Sequence, residues 1–156
     1  MTLTPAGLQL LKTLEGCSLV AYPDPPGSGS WSIGYGHNSP AVGQGQRISQ
    51  QQADAWLLQD VAQAAAAVDQ LLAGVALSPQ QRDALISFCF NVGAGALGGS
   101  TLRRRLRAGE PVALVLKEEL PRWCHGPQGP LDGLRRRRAA ELLHAQGGSQ
   151  DRRSPA

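Results

Sequence analysis

Apolar residues recur at helical spacing through most of the chain and at strand spacing only once. Thr4-Pro5 places an N-cap residue before a proline at the first helical position, and Leu8, Leu11 and Glu15 then share one face until Gly16 ends the pattern. Ser49-Gln50-Gln51-Gln52 and Ser78-Pro79-Gln80-Gln81 both fit the S-x-x-Q capping box, and each precedes a helical pattern. Between Arg82 and Val92 the apolar residues Ala84, Leu85, Ile86, Phe88, Cys89, Phe90 and Val92 occupy nearly every face, which predicts a central helix buried on all sides. Further helices are predicted over 101–108, 111–120 and 134–145, separated by Gly109-Glu110 and by the loop Gly126-Pro127-Gln128-Gly129-Pro130. The segment after Gln146 reads as a disordered tail.

Only residues 18–38 read as sheet. Leu19 to Tyr22 and Trp31 to His37 flank a stretch dense in turn formers, Pro23 to Ser30, and predict a hairpin. The expected class is α+β: one domain over 1–146, with a small β lobe over about 17–48 carried by a mostly helical body over about 49–146. Within the second strand, SIGYGH carries a glycine at every second position. With a period of two, Trp31, Ile33, Tyr35 and His37 would share a packed face, and Ser32, Gly34 and Gly36 a bare one. A bare face with one hydroxyl suits a bulky ligand pressed against the backbone. A kinked edge strand with glycines at bulges accounts for the same spacing equally well.

Composition narrows the classes of function. The longest apolar runs fall far short of the roughly 20 residues that a membrane span needs. The first residues carry no basic segment followed by an apolar core, so no secretory signal is read there. Cys17, Cys89 and Cys124 have neither CxxC nor Cys/His ligand spacing, which argues against a disulfide framework and a zinc site and leaves reduced thiols as the expectation, with a Cys17–Cys124 bridge the alternative. Cys89 falls in the apolar helix and reads as a small core residue. Charge is unevenly spread: up to residue 100 three bases face six acids, and beyond it twelve bases face six acids. Arg135-Arg136-Arg137-Arg138 is the densest run, read either as a solvated helical surface or as a docking face for a polyanion such as an anionic outer membrane or lipopolysaccharide. No nucleic-acid-binding motif accompanies the charge.

Two carboxylates carry the candidate chemistry. Glu15 stands in the last turn of the first helix, where the negative end of the helix dipole and partial burial disfavour its ionised form, as a general acid requires. Asp24 lies nine positions later in a turn-rich loop, where solvent and nearby amides favour its ionised form. Two carboxyls in contrasting surroundings suggest a glycosidase pair.

The residues Glu15-Gly16-Cys17-Ser18-Leu19-Val20-Ala21-Tyr22-Pro23-Asp24, Trp31-Ser32-Ile33-Gly34-Tyr35-Gly36-His37 and Asp83-Ala84-Leu85-Ile86-Ser87-Phe88-Cys89-Phe90-Asn91-Val92-Gly93 resemble the phage-type lysozymes, or endolysins. Ser100-Thr101-Leu102, Arg122-Trp123 and Gly133-Leu134-Arg135-Arg136-Arg137 extend the resemblance to about residue 145. It implies a lysozyme-like fold and a muramidase that hydrolyses the glycan strands of peptidoglycan, acting as a monomer without a cofactor. It implies a place in the host bacterial cytoplasm before release to the cell wall. By the same resemblance Glu15 is the general acid, Asp24 orients water or stabilises the sugar cation, and Ser32 helps to hold that water. The family commonly has threonine where this chain has Ser32, and the Asp24–Ser32 loop is about two residues longer than usual. Gly34, Asn38, Phe90 and Thr101 are implied substrate contacts. Supporting roles fall to His37, expected on the packed side and hydrogen bonded to a carboxylate, and to the arginine run. One of Arg135 to Arg138, with Arg135 and Arg137 the candidates, is expected to pair with Glu15, and the other three to be solvated. A lytic transglycosylase and a non-enzymatic cationic module are the competing readings.

Overall fold

The computed structural model describes residues 3–147, so the tail expected after Gln146 lies almost wholly outside the described residues. Seven α-helices, one short 3-10 helix (Leu120–Arg122) and five short strands are found among them: α1 (Pro5–Glu15), β1 (Ser18–Pro23), β2 (Trp31–Gly34), β3 (His37–Asn38), α2 (Gln50–Leu71), α3 (Pro79–Val92), α4 (Ala94–Gly98), α5 (Thr101–Arg107), α6 (Val112–Glu119), β4 (His125–Gly126), β5 (Gly129–Pro130) and α7 (Asp132–Gln146). The class is α+β, with a mostly helical chain and a small antiparallel sheet near its start. The described residues form two compact units, one of residues 11–63 and the other of residues 3–10 and 64–147.

In the smaller unit the strand order is β1-β2-β3, all antiparallel. Its core is Ala21, Ile33 and Val42, against which Trp31, Ile48 and Trp56 pack. Residues 46–48 run along the free edge of β1, where Ala21 N donates to Gln46 O at 2.9 Å and Ile48 N to Leu19 O at 3.0 Å. Ser49 caps α2, its hydroxyl accepting from Gln52 N at 3.1 Å.

One expectation fails here for a clear reason. The strand that begins at Trp31 stops at Gly34 rather than running to His37. Gly34 (φ +67°) and Gly36 (φ +81°) adopt left-handed conformations that turn the chain back, so that Ile33 pairs with His37 and Ser32 with Asn38. The bare face read from alternation therefore does not exist as one surface. Ser32 is completely buried, and a methyl group at Gly34 would lie 3.4 Å from Ala53 Cβ and Ile48 Cδ1.

The larger unit is built on α3 packed against α7. Every residue from Arg82 to Cys89 is buried. Ser78 and Gln81 form the complete capping box, with bonds of 2.9 and 3.1 Å. Buried Asp83 gathers three elements: it accepts from Thr4 N at 3.0 Å and from the Thr4 hydroxyl, and His144 Nε2 on α7 lies 2.9 Å away. A side chain at Gly7 would overlap this carboxylate. Arg103 donates to Leu71 O at 3.0 Å and Gly98 O at 3.2 Å, and Arg107 to Ala73 O at 3.4 Å, which covers carbonyls at and just beyond the C-terminal end of α2 and at that of α4. Two features go beyond the sequence pattern: α4, and the β4–β5 hairpin within the loop predicted at 126–130.

The arginine run also departs from expectation. Arg135 is exposed, with Asp132 Oδ1 3.7 Å away, and Arg136 is exposed. Arg137 and Arg138 are buried and converge on Glu141, itself fully buried. Arg137 Nε donates to Glu141 Oε1 at 3.2 Å, Arg138 Nη2 donates to the same oxygen at 3.0 Å, and the Ser87 hydroxyl donates to it at 2.8 Å. The Arg138 guanidinium lies over the Phe88 ring at 4.9 Å, and its Nη2 donates to Asn91 Oδ1 at 2.7 Å. A run of four arginines on one helix must point in several directions, and two of these point into the α3 interface. Burial pushes the Glu141 carboxyl up, while Arg138, Ser87 and Arg137 pull it back down.

Glu141→Gln removes the carboxylate on which two buried guanidinium groups converge and is expected to cost about 3 to 5 kcal/mol in urea unfolding. Asp69 gives a pH-dependent contrast. Arg82 donates to both its oxygens at 2.8 Å and holds the Asp69 carboxyl below its usual range. A carboxyl lowered in the folded state stabilises above its unfolded pKa of about 3.9, and the contribution disappears as pH falls through the folded value. Because Asp69 is half exposed, Asp69→Asn is expected to cost about 1 kcal/mol or less at pH 7, with the wild-type and variant unfolding curves converging once the pH falls below the folded value.

Candidate active site

The smaller unit brings the sequence-selected carboxylates into one neighbourhood. Glu15 is the last residue of α1 and is partly buried; Gly16, at φ +65°, ends the helix directly after it. Its Oε2 lies 3.8 Å from the point where a side-chain carbon at Gly36 would sit. Gly36, not Gly34, is thus the glycine that borders the carboxylate. Asp24 follows β1 and is exposed. Its N–H donates to Ser30 O at 2.8 Å, closing the turn-rich loop, and Ser28 accepts from Ser30 N at 3.1 Å within it.

Ser32 donates its hydroxyl to Asp24 Oδ2 at 3.1 Å. Tyr22 stands opposite Ser32 in the β1–β2 ladder. Burial pushes the Tyr22 phenol up, and the negative charges of Asp24 and then Glu15 push it further. One phenol therefore feels both carboxylates. Tyr22 falls in the stretch that carried the family resemblance, yet no spacing rule marks it as a site residue.

His37 sits in β3, with its Nδ1 2.9 Å from Asp60 Oδ2 and its ring stacked on Trp56 at 4.6 Å. This makes it a packed, carboxylate-bound histidine. Its partners lie 19 and 23 residues away on α2, a separation that sequence patterning does not resolve. Tyr35 is buried, and its hydroxyl accepts from Gln50 Nε2 at 3.0 Å. Asn38 is exposed and borders a shallow cleft of about 340 Å³ that Ser30, Trp31 and Ser39 also line.

Phe90 and Thr101 belong to the larger unit. Phe90 is partly buried near the end of α3, and Thr101 opens α5 beside a cleft of about 440 Å³ lined also by Arg103, Arg104 and Arg107. Gly34 is buried, and Ala53 and Ile48 fill the space that a side chain there would take. Cys17 is an exposed free thiol, whereas Cys89 and Cys124 are buried free thiols. Among the described residues no group of three His, Cys, Asp or Glu side chains could hold a metal ion.

A model of the family described as phage lysozyme matches residues 12–141. The chain belongs to the phage lysozyme family. The endolysin of Bacillus phage PZA is 37% identical to it over 141 residues, covering 90% of this chain and 54% of that protein. The endolysin of Acyrthosiphon pisum secondary endosymbiont phage 1 is also 37% identical, over 145 residues covering 90% of this chain and 95% of that one. The chain thus spans about half the length of the Bacillus phage relatives and nearly all of the latter. Among solved structures, the muramidase domain of SpmX from Asticaccaulis excentricus superposes with a TM-score of 0.82 at 33% identity, covering 92% of this chain and 97% of that one.

In this family member Gly34 combines a left-handed backbone with tight packing. Gly34→Ala is expected to cost about 1 to 3 kcal/mol in thermal or urea unfolding, through backbone strain and the contacts with Ala53 and Ile48.

Proposed function

We propose that this chain is an endolysin muramidase that hydrolyses the β-1,4 bond between N-acetylmuramic acid and N-acetylglucosamine in peptidoglycan. The observation that carries the reading is the Ser32 hydroxyl hydrogen bonded to Asp24 at 3.1 Å in the same small unit in which Gly36 borders the Glu15 carboxylate. Glu15 is the proton donor to the leaving glycosidic oxygen. Asp24, held by Ser32, orients the attacking water and stabilises positive charge developing on the sugar. No cofactor enters the scheme.

The inverting course is part of the proposal. It requires the two carboxyl groups to stand about 6.5 to 9.5 Å apart so that water fits between the base and the sugar. Asn38, Phe90 and Thr101 are proposed sugar contacts. His37 supports the sheet through Asp60 and Trp56 rather than acting as a base.

Among the described residues no helix is long and apolar enough to cross a membrane. Action as a monomer, residence in the host cytoplasm before release to the cell wall, and contact with an anionic outer membrane or lipopolysaccharide belong to the same reading. The exposed Arg135 and Arg136 support the envelope contact, which gains nothing from the buried Arg137 and Arg138. No nucleic-acid partner is proposed.

A lytic transglycosylase needs one acid and no attacking water, and would leave the Asp24–Ser32 pair without a role. Glu15→Gln is expected to lower peptidoglycan clearing by about 10²-fold or more while the unfolding temperature stays within a few degrees of wild type. Retained clearing would remove Glu15 from its role. Mass spectrometry of the wild-type products should find reducing muramic acid ends; anhydro ends would establish the transglycosylase instead.

A further inference from the structure

We propose that Asn38 is a positioning residue for Asp24, acting through the hydroxyl of Ser32. The proposal rests on the muramidase reading for its catalytic consequence, but its geometry stands on its own.

A serine hydroxyl has one proton and two lone pairs, and its direction is free unless partners fix it. Serine also lacks the methyl that restricts a β-branched side chain, so several rotamers are open to it. Ser32 is nevertheless fully buried and lies 3.1 Å from Asp24 Oδ2 on one side and 3.1 Å from Asn38 Nδ2 on the other. An amide NH₂ can only donate. Its two protons are shared among Ser32 Oγ, Trp31 O and Ser30 Oγ, and however they divide, Ser32 Oγ meets no acceptor on that side, which leaves its hydroxyl proton for Asp24. Asn38 to Ser32 to Asp24 becomes a chain of hydrogen bonds with a single polarity.

The amide orientation is itself determined. Asn38 Nδ2 also lies 3.1 Å from Trp31 O and 2.8 Å from Ser30 Oγ. Turning the amide over would set its carbonyl oxygen against the Trp31 carbonyl, two acceptors with no proton between them. Ser30 is moreover the residue whose carbonyl receives the Asp24 N–H at 2.8 Å. Asn38 thus fixes the direction of the Ser32 proton and tethers the end of the loop that carries Asp24. Its place opposite Ser32 follows from the turn at Gly34 and Gly36.

The test compares wild type, Asn38→Ala and Asn38→Asp on soluble peptidoglycan fragments, with a high-resolution crystal structure of each variant. Expected for Asn38→Ala is a kcat about 10- to 100-fold lower, a loss larger than any rise in KM from the missing sugar contact, with Ser32 rotated off Asp24. Asn38→Asp keeps the size of the side chain but offers an acceptor that draws the Ser32 proton away, so it should lose at least as much. It also keeps the test decisive should the alanine variant fold poorly. A higher KM at unchanged kcat would make Asn38 a saccharide contact only and overturn the proposal. Unchanged kinetics, or a Ser32 side chain still directed at Asp24 in both variants, would overturn it too. Absence of cleavage by the wild type would instead sink the muramidase reading, while the Ser32 rotamer in the crystal structures still decides the role of Asn38.

Discussion

The arrangement of the small unit depends on a reversal of the backbone over three residues. Gly34 and Gly36 both take left-handed conformations, with buried Tyr35 between them. Side chains at these positions would strain the backbone, and at Gly34 would also press on α2. The reversal sets Asn38 beside Ser32, brings Gly36 up to the Glu15 carboxylate and places His37 over Trp56. Lose the turn, and the hydroxyl beside Asp24 loses its second partner.

The larger unit meets a different constraint. Its central helix is buried along eight consecutive residues, including charged Arg82 and Asp83. Each of these finds an opposite charge or a donor: Arg82 meets Asp69, and Asp83 meets Thr4 and His144. The two buried arginines of α7 are gathered by one carboxylate, with aromatic and amide contacts taking up part of the remainder. Removing charge from water is costly, so such groups persist where several partners act together. For the same reason the dense arginine run offers less free positive surface than its sequence suggests. Arg105 repeats the pattern, held by Glu110, Glu118 and Glu119 between α5 and α6.

Much of the fold is legible in the sequence because its signals are local. Thr4-Pro5, Ser49 and Ser78 announce helix starts through side chain to backbone bonds that span three residues. The apolar pattern of α3 runs round the whole helix, and a helix with no polar face has to lie inside the molecule. The strand after Trp31 is harder to read, because alternation describes an extended chain, whereas glycine can signal either a bare face or a left-handed turn. Only the pairing of Ser32 with Asn38 decides between them. Glu15 and Asp24 are legible as a pair of carboxyls set off by Gly16 and by the turn-rich loop. Tyr22, Asp60, Trp56 and Glu141 are not, since each matters through partners that chain spacing alone does not bring together. Glu141 comes nearest to being legible, lying three and four residues beyond Arg138 and Arg137 on one helix.

Serine at position 32 draws these strands together. A fully buried hydroxyl next to an exposed carboxylate is useful only if its proton points one way, and a side chain without a β-methyl does not ensure that by sterics. Direction has to come from a neighbour that can donate and cannot accept at that site. Asn38 meets both conditions because the Trp31 carbonyl rules out the opposite amide orientation. The turn glycines, the strand register and the order of Asp24 are therefore parts of one arrangement, in which backbone conformation at two residues is converted into the direction of a single proton.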